Sequence, residues 1–245
     1  MARILLGVDV GGSSVKAGLA NVQGGHLVGD LISAPTPVPS PPSALMPVIA
    51  ELAARLPASG PVGVCFPSVV KNGKVRTAAN IDAGWLGADG AALASAALGR
   101  PTVFLNDADA AGIAEMRWGA GQGVAGPVVM LTFGTGIGSA LFIGGQLYPN
   151  TELGHLEMRG ADAEKWASAH VRTAQQLDWP EWSARVNEYL ARVHALFWPD
   201  LFILGGAVTE HFERFAPLLH SEAQIRPARF TGQAGVIGAA LAAAG

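Results

Sequence analysis

A single cysteine, Cys65, stands in a chain of 245 residues, which excludes an internal disulfide framework and any zinc site built from several thiolates. Charge is sparse as well. Asp, Glu, Lys and Arg make up 14% of the sequence, the formal net charge is −3, and neither sign forms a long run. That balance excludes the broadly basic surface that general nucleic-acid binding requires. No apolar run approaches the roughly 18 residues that span a bilayer. The first apolar run meets an acid at Asp9, too early for the core of a signal peptide. A cytoplasmic enzyme with neither membrane nor nucleic acid as partner is expected. No G-x-x-x-x-G-K-[S/T] string occurs, so a P-loop is excluded too.

Apolar side chains are plentiful. They form 50% of the chain, enough for a substantial core and incompatible with disorder. The length suits two lobes of roughly 100–150 residues each better than one domain, and two lobes imply a central cleft. Cys65 lies in the buried-strand pattern Val-Gly-Val-Cys-Phe-Pro and reads as core packing. Strands are expected at Ile4–Val10, Val62–Phe66, 102–105, Val128–Phe133 and 201–204. Helices are expected at 44–56, 91–98, 181–197, 210–219 and 234–244. This alternation is that of an α/β protein. Residues 33–43 hold five of the sixteen prolines and read as an extended surface connection. Two small basic groups, Lys71, Lys74 and Arg76, and Arg226 and Arg229, are either ordinary solvated charge or a track for a polyanion.

The two strands that run into glycine-rich turns share one grammar. Ile4–Val10 enters a Gly11-Gly12 turn, continues as a strand through Val15, Ala17 and Leu19, and reaches Gly24-Gly25. Val128–Phe133 enters Gly134-Thr-Gly136, continues through residues 140–143, and reaches Gly144-Gly145. The segments overlay as an internal duplication, one hairpin opening each half. Such turns can wrap a phosphate, because glycine lets successive N–H groups point inward and keeps side chains out of the way.

Asp9-Val-Gly-Gly-Ser-Ser-Val-Lys16 and Thr132-Phe-Gly-Thr-Gly-Ile-Gly138 resemble the two phosphate motifs of the actin-like ATPase and sugar kinase superfamily. Asn106-Asp-Ala-Asp-Ala-Ala111 and Glu152-Leu-Gly-His155 resemble the ROK family within it, and Pro149-Asn-Thr-Glu-Leu-Gly-His-Leu-Glu157 is similar to its polyphosphate glucokinases. The resemblance spans nearly the whole chain. It implies two RNase H-like lobes around the cleft, one comprising residues 1–105 with helix 234–245 packing back on it, the other residues 106–233. It also implies a homodimer that phosphorylates glucose from polyphosphate, ATP or both. A strictly ATP-dependent hexokinase is the alternative. With the first motif beginning at Asp9, a kinase is expected rather than one of the family's repressors.

Roles follow residue by residue. Asp9 is expected to hold magnesium through water, since magnesium favours oxygen ligands and keeps several waters. Gly11, Gly12, Ser13, Lys16, Thr132, Gly134, Thr135 and Gly136 are expected at the donor phosphates, with Gly205 and Gly206 matching the family's nucleotide-side glycines. Asp107 is the expected general base, because a hexose hydroxyl has a high pKa and a carboxylate beside it can take its proton as the bond to phosphorus forms. Asn80, Asn106, Glu152 and His155 are expected at the sugar alongside Asp107, and Trp85 is either core or a wall for the pyranose. Most ROK kinases carry a cysteine-rich zinc motif after the Gly-His pair. This chain has no cysteine there, so no structural zinc is expected and packing, through Trp166, must hold the local geometry. Ala163-Glu-Lys-Trp-Ala-Ser168 resembles the segment beyond that motif, which makes Glu164 the expected third sugar carboxylate ahead of Glu157.

Overall fold

The computed structural model describes residues 3–78 and 81–245. Asn80, an expected sugar contact, lies outside them. The chain forms two compact units, Met1–Trp118 with Gln233–Gly245, and Gly119–Gly232.

The first unit is built on β1 (Ile4–Val10), β2 (Ser14–Asn21) and β3 (His26–Pro35), an antiparallel meander. There follow α1 (Pro42–Ala54), β4 (Val62–Phe66), a small ribbon of β5 (Val70–Lys71) and β6 (Lys74–Val75), α2 (Gly90–Leu98), β7 (Thr102–Asn106) and α3 (Asp107–Trp118). The sheet order is β3-β2-β1-β4-β7, with β1, β4 and β7 parallel. Strand periodicity gives β1 and β4 two buried faces. Leu6, Val8, Val64 and Phe66 join Leu45, Ile49 and Leu52 of α1 in one core cluster. On the other face the C-terminal helix (Ala234–Ala243) lies directly on backbone: a Cβ added at Gly7 would meet Val236 O at 1.9 Å, and one at Gly63 would meet Ala239 O at 1.8 Å. The same helix meets α3 where a Cβ on Gly238 would lie 1.6 Å from Ala110 O. That contact puts α3 in the first unit, so the boundary expected after residue 105 falls after Trp118 instead.

Two sequence expectations change here. The proline-rich stretch is shorter than its composition implies. β3 runs to Pro35 because it is an edge strand, where an imino nitrogen interrupts no inner ladder, and α1 begins at Pro42, whose missing N–H costs nothing in a first turn. Trp85 is fully buried, donates Nε1–H to Ser40 O at 2.8 Å and packs on Phe66 and Phe104. It is core, not a sugar wall.

The second unit repeats the plan with β8 (Val128–Phe133), β9 (Ile137–Ile143) and β10 (Gln146–Tyr148), then β11 (Glu157–Met158) and β12 (Ala161–Asp162), short helices α4 (Glu164–Ala167) and α5 (Ala169–Ala174), α6 (Trp179–Phe197), β13 (Leu201–Gly205), α7 (Phe212–Phe215) and β14 (Gln224–Pro227). Its sheet order, β10-β9-β8-β13-β14, matches the first sheet position for position. α6 starts with a capping box in which Asp178 and Glu181 satisfy each other's backbone N–H groups. Its Trp182, Val186, Tyr189, Leu190 and Val193 fall on one face and fill the core over β8 and β13. The helix expected at 210–219 is broken into 3-10 turns on either side of α7. Pro217 stands in the last of these turns and offers no N–H for a continuous helix.

Candidate active site

In the first unit the hairpin register decides what surrounds Asp9. Period two along β1 puts Asp9 on the same face as Gly7, under the C-terminal helix. Asp9 pairs with Lys16 across the hairpin and with Cys65 across the parallel ladder. Cys65 donates its S–H to Asp9 Oδ1 at 3.3 Å. The helix's first turn arrives on the same carboxylate, since a Cβ on Gly235 would meet Asp9 Cγ at 2.7 Å. Burial pushes the Asp9 carboxyl above the ordinary carboxylate range, and the thiol hydrogen bond and the Lys16 charge oppose that rise. The Cys65 thiol is pushed well up by burial and by the charges of Asp9 and Asp107, so it stays a neutral donor. Asp9 and Asp107 thus both bear on one thiol. A carboxylate such as that of Asp9 is the ligand type that magnesium takes, one or two at a time, while it retains its waters.

The turn itself is closed by Gly11 N–H to Ser14 O at 3.0 Å. Thr36 straps it from the end of β3, its hydroxyl donating to Gly11 O at 2.6 Å and its N–H to Ser13 O at 3.1 Å. Gly12 and Ser13 are exposed at the tip. Nothing in the proline-rich composition pointed to Thr36, whose role depends on β3 returning alongside the turn.

Asn106 ends β7 and is buried. Its Oδ1 accepts from Asp109 N at 2.9 Å and its Nδ2 donates to Ser68 O at 3.1 Å. It therefore caps α3 and anchors the strand end, two bonds that use half of the two donors and two acceptor lone pairs a primary amide carries. Asp107 opens α3, is partly exposed, and accepts from Ala108 N at 2.8 Å.

In the second unit Thr132 sits at the end of β8, paired with Gly138 and with Gly205. The turn Gly134-Thr135-Gly136 is held by Gly134 N–H to Gly136 O at 3.0 Å and by His170 N–H to Gly134 O at 3.0 Å. Thr135 is exposed. Gly206 has φ +91°, and a Cβ there would meet Phe133 O at 2.2 Å, so only glycine fits. Thr132, the turn and Gly205-Gly206 are thereby brought together at one end of the sheet.

Glu152 and His155 bracket a 3-10 turn, Leu153–His155. Ser139, buried in β9, ties that turn down: its hydroxyl donates to Thr151 O at 2.6 Å and accepts from Leu153 N at 3.0 Å. Gly154 lets the turn lie on β9, since a Cβ there would meet Ile137 O at 2.2 Å. His155 Nε2 is 3.6 Å from Glu152 Oε2. Glu164 Oε2 accepts from Ile137 N at 3.3 Å and rests over Gly136, where a Cβ would meet it at 2.2 Å. Burial, then the Glu164 charge, raises the Glu152 carboxyl, while His155 draws it down. Glu157 is exposed on β11. Trp166 is clasped between Arg159 and Arg185, whose guanidinium carbons lie 4.4 Å and 4.1 Å from its ring centre. Among the described residues, ligand atoms of His155, Asp162 and Glu164 come within 4.8 Å of one another. Lys165 Nζ, 3.2 Å from Asp162 Oδ2, already supplies a positive charge there.

Of the basic groups, Lys71 and Lys74 face each other across the β5–β6 ribbon. Arg226 is engaged by Ala120 O at 2.8 Å and Gln224 Oε1 at 2.7 Å.

Residues 5–176 match the ROK family. The chain belongs to the ROK family. Among ROK relatives, polyphosphate glucokinase of Mycobacterium tuberculosis (strain CDC 1551 / Oshkosh) is 45% identical over 96% of this chain and 89% of its own. The crystal structure of inorganic polyphosphate/ATP-glucomannokinase from Arthrobacter sp. strain KM superposes with a TM-score of 0.95 at 44% identity, covering 99% of this chain and 98% of that one. A ROK family glucokinase from Streptomyces griseus, solved with glucose and AMPPNP, gives a TM-score of 0.82 at 25% identity, covering 97% and 98%. The α/β fold with two sheet-bearing units is thus that of ROK sugar kinases. Among the described residues no helix is long and apolar enough to cross a membrane.

Proposed function

We propose that this ROK protein transfers a phosphoryl group from inorganic polyphosphate, and also from ATP, to the 6-hydroxyl of glucose. The reading is supported above all by the 45% identity to polyphosphate glucokinase along 96% of the chain. The two glycine turns add to it, since each joins two antiparallel strands at the matching position of its sheet and leaves Gly12 and Ser13, or Gly134 and Thr135, exposed. Asp107 takes the proton of the attacking hydroxyl as its oxygen bonds to phosphorus and the bond to the leaving phosphate oxygen breaks. Glu152 and His155 bind sugar hydroxyls, with Glu164 as a further carboxylate. Gly11, Gly12, Ser13 and Lys16 in one unit, and Thr132, Gly134, Thr135, Gly136, Gly205 and Gly206 in the other, meet donor phosphates. Asp9 would hold magnesium through water, and the ion would neutralise charge at the transferring group. We place the enzyme in the cytoplasm as a homodimer.

The deciding measurement compares kcat/KM for long-chain polyphosphate and for ATP, each with glucose. A clear polyphosphate preference is expected. Turnover with ATP alone leaves the kinase and removes the polyphosphate reading.

A further inference from the structure

The imidazole of His155 stands between two carboxylates. Its Nε2 lies 3.6 Å from Glu152 Oε2 and its Nδ1 lies 3.6 Å from Asp162 Oδ2. Glu152 precedes the same 3-10 turn, whereas Asp162 comes from β12, fixed by pairing opposite Glu157 of β11. Asp162 is itself held. Lys165 Nζ, at the start of α4, is 3.2 Å from the same Oδ2. The hydrogen bond from Lys165, followed by the Lys165 and His155 charges, keeps the Asp162 carboxyl below the ordinary carboxylate range, while Glu152 is raised. The two flanking carboxylates therefore differ in how they are held: Asp162 is fixed by its strand pairing and by Lys165, whereas Glu152 lies just outside a short turn.

A neutral imidazole carries one N–H, and the partner of one nitrogen decides what the other can do. A fixed anion at Nδ1 retains the proton there and leaves the Nε2 lone pair on the Glu152 side. We propose that Asp162, pinned by Lys165, is a positioning residue that holds His155 as its Nδ1–H tautomer, so that Nε2 accepts a sugar hydroxyl proton beside Glu152. This rests on the reading of His155 as a sugar ligand and supplies what that reading lacks, a device that orients the ring.

The test uses the full chain with 15N-labelled histidine, without sugar, at alkaline pH where imidazoles are neutral. Ring N–H correlations report the tautomer, and His155→Ala identifies the His155 signal among the six histidines. The native protein shows Nδ1–H. Asp162→Ala reverts to the Nε2–H form favoured in solution, and Asp162→Asn, which keeps an amide oxygen as acceptor, retains part of the native signal. KM for glucose rises about tenfold in Asp162→Ala and less in Asp162→Asn, with kcat within about twofold of native. Lys165→Met, which releases Asp162 without removing it, falls between native and Asp162→Ala. An identical tautomer in native and Asp162→Ala overturns the proposal. If the tautomer changes while KM for glucose stays native in both Asp162→Ala and His155→Ala, the orienting role of Asp162 stands and the sugar reading of His155 falls.

Discussion

The two sheets place different chemistry at one topological position. At the end of the first hairpin strand, Asp9 is flanked by Lys16 on the antiparallel side and Cys65 on the parallel side. At the matching end of the second, Thr132 is flanked by Gly138 and Gly205. One site is an acid with a cation and a thiol around it, pressed against a helix start. The other is a hydroxyl with bare backbone on both sides. The same scaffold thus provides charge in one copy and room in the other, which suits a cation at the first and a bulky anion at the second.

The largest expected effect tests the acid that opens α3 in the charged unit. Asp107→Asn is expected to lower kcat about 10² to 10⁴-fold, the usual value of a general base, with glucose binding retained. Calorimetry with glucose and steady-state rates separate the two. Near-native turnover removes Asp107 from the role.

Exchanging the equivalent residues sharpens the contrast directly. Thr132→Asp places a carboxylate where donor phosphate is proposed to lie and should raise KM for the donor tenfold or more, on the order of the several kcal/mol of like-charge juxtaposition. Asp9→Thr should instead raise the magnesium concentration needed for half-maximal rate. Equal responses from both exchanges would mean that the two hairpins do the same work.

The bare-backbone strategy also serves packing in the first unit. Gly63→Ala puts a methyl group into the Ala239 carbonyl and should destabilise that unit by about 1–3 kcal/mol, as overpacking does. Thermal or denaturant unfolding reads the loss. Gly87, where an added Cβ would meet no atom within 4 Å but φ is +80°, offers a control in which strain acts without crowding.

The smallest effect concerns pH. Asp9 must be ionised to hold a cation, and its carboxyl already lies above the ordinary value of 3.8 because of burial. Cys65→Ala removes a hydrogen bond that lowers it, so the acid limb of kcat/KM for the donor should move to higher pH, while Cys65→Ser keeps a donor and stays close to native. A raised carboxyl makes the folded state bind its proton more tightly than the unfolded one. Stability therefore falls as pH rises from 3.8 through the folded value, and Asp9→Asn should flatten that slope.

Much of this was legible along the chain because it is local. β1, β4 and β8 begin and end where their apolar runs do, and the two Gly-Gly hairpins declare the repeat. Glu152 and His155 are readable as a pair because one short turn carries both. Partnership between distant segments was not legible. Asn106 was readable as a strand-end residue, but not that its amide would bridge Ser68 and Asp109. Cys65 is core, as its strand pattern implied, and parallel pairing in addition sets its thiol on Asp9. Thr36, Ser139 and Asp162 carry no local signal at all, since a hydroxyl or carboxylate in a loop or strand has many uses.

By itself the sequence determined the α/β class, the duplicated hairpins and the residue types at their turns, because periodicity and glycine placement act over a few neighbouring residues. Only the tertiary structure decided that α3 joins the first unit, that Asp9 lies between a thiol and a helix start, and that Asp162 stands at the second nitrogen of His155. Each of these depends on register between strands or on backbone approach across a missing Cβ, distances that no local pattern encodes.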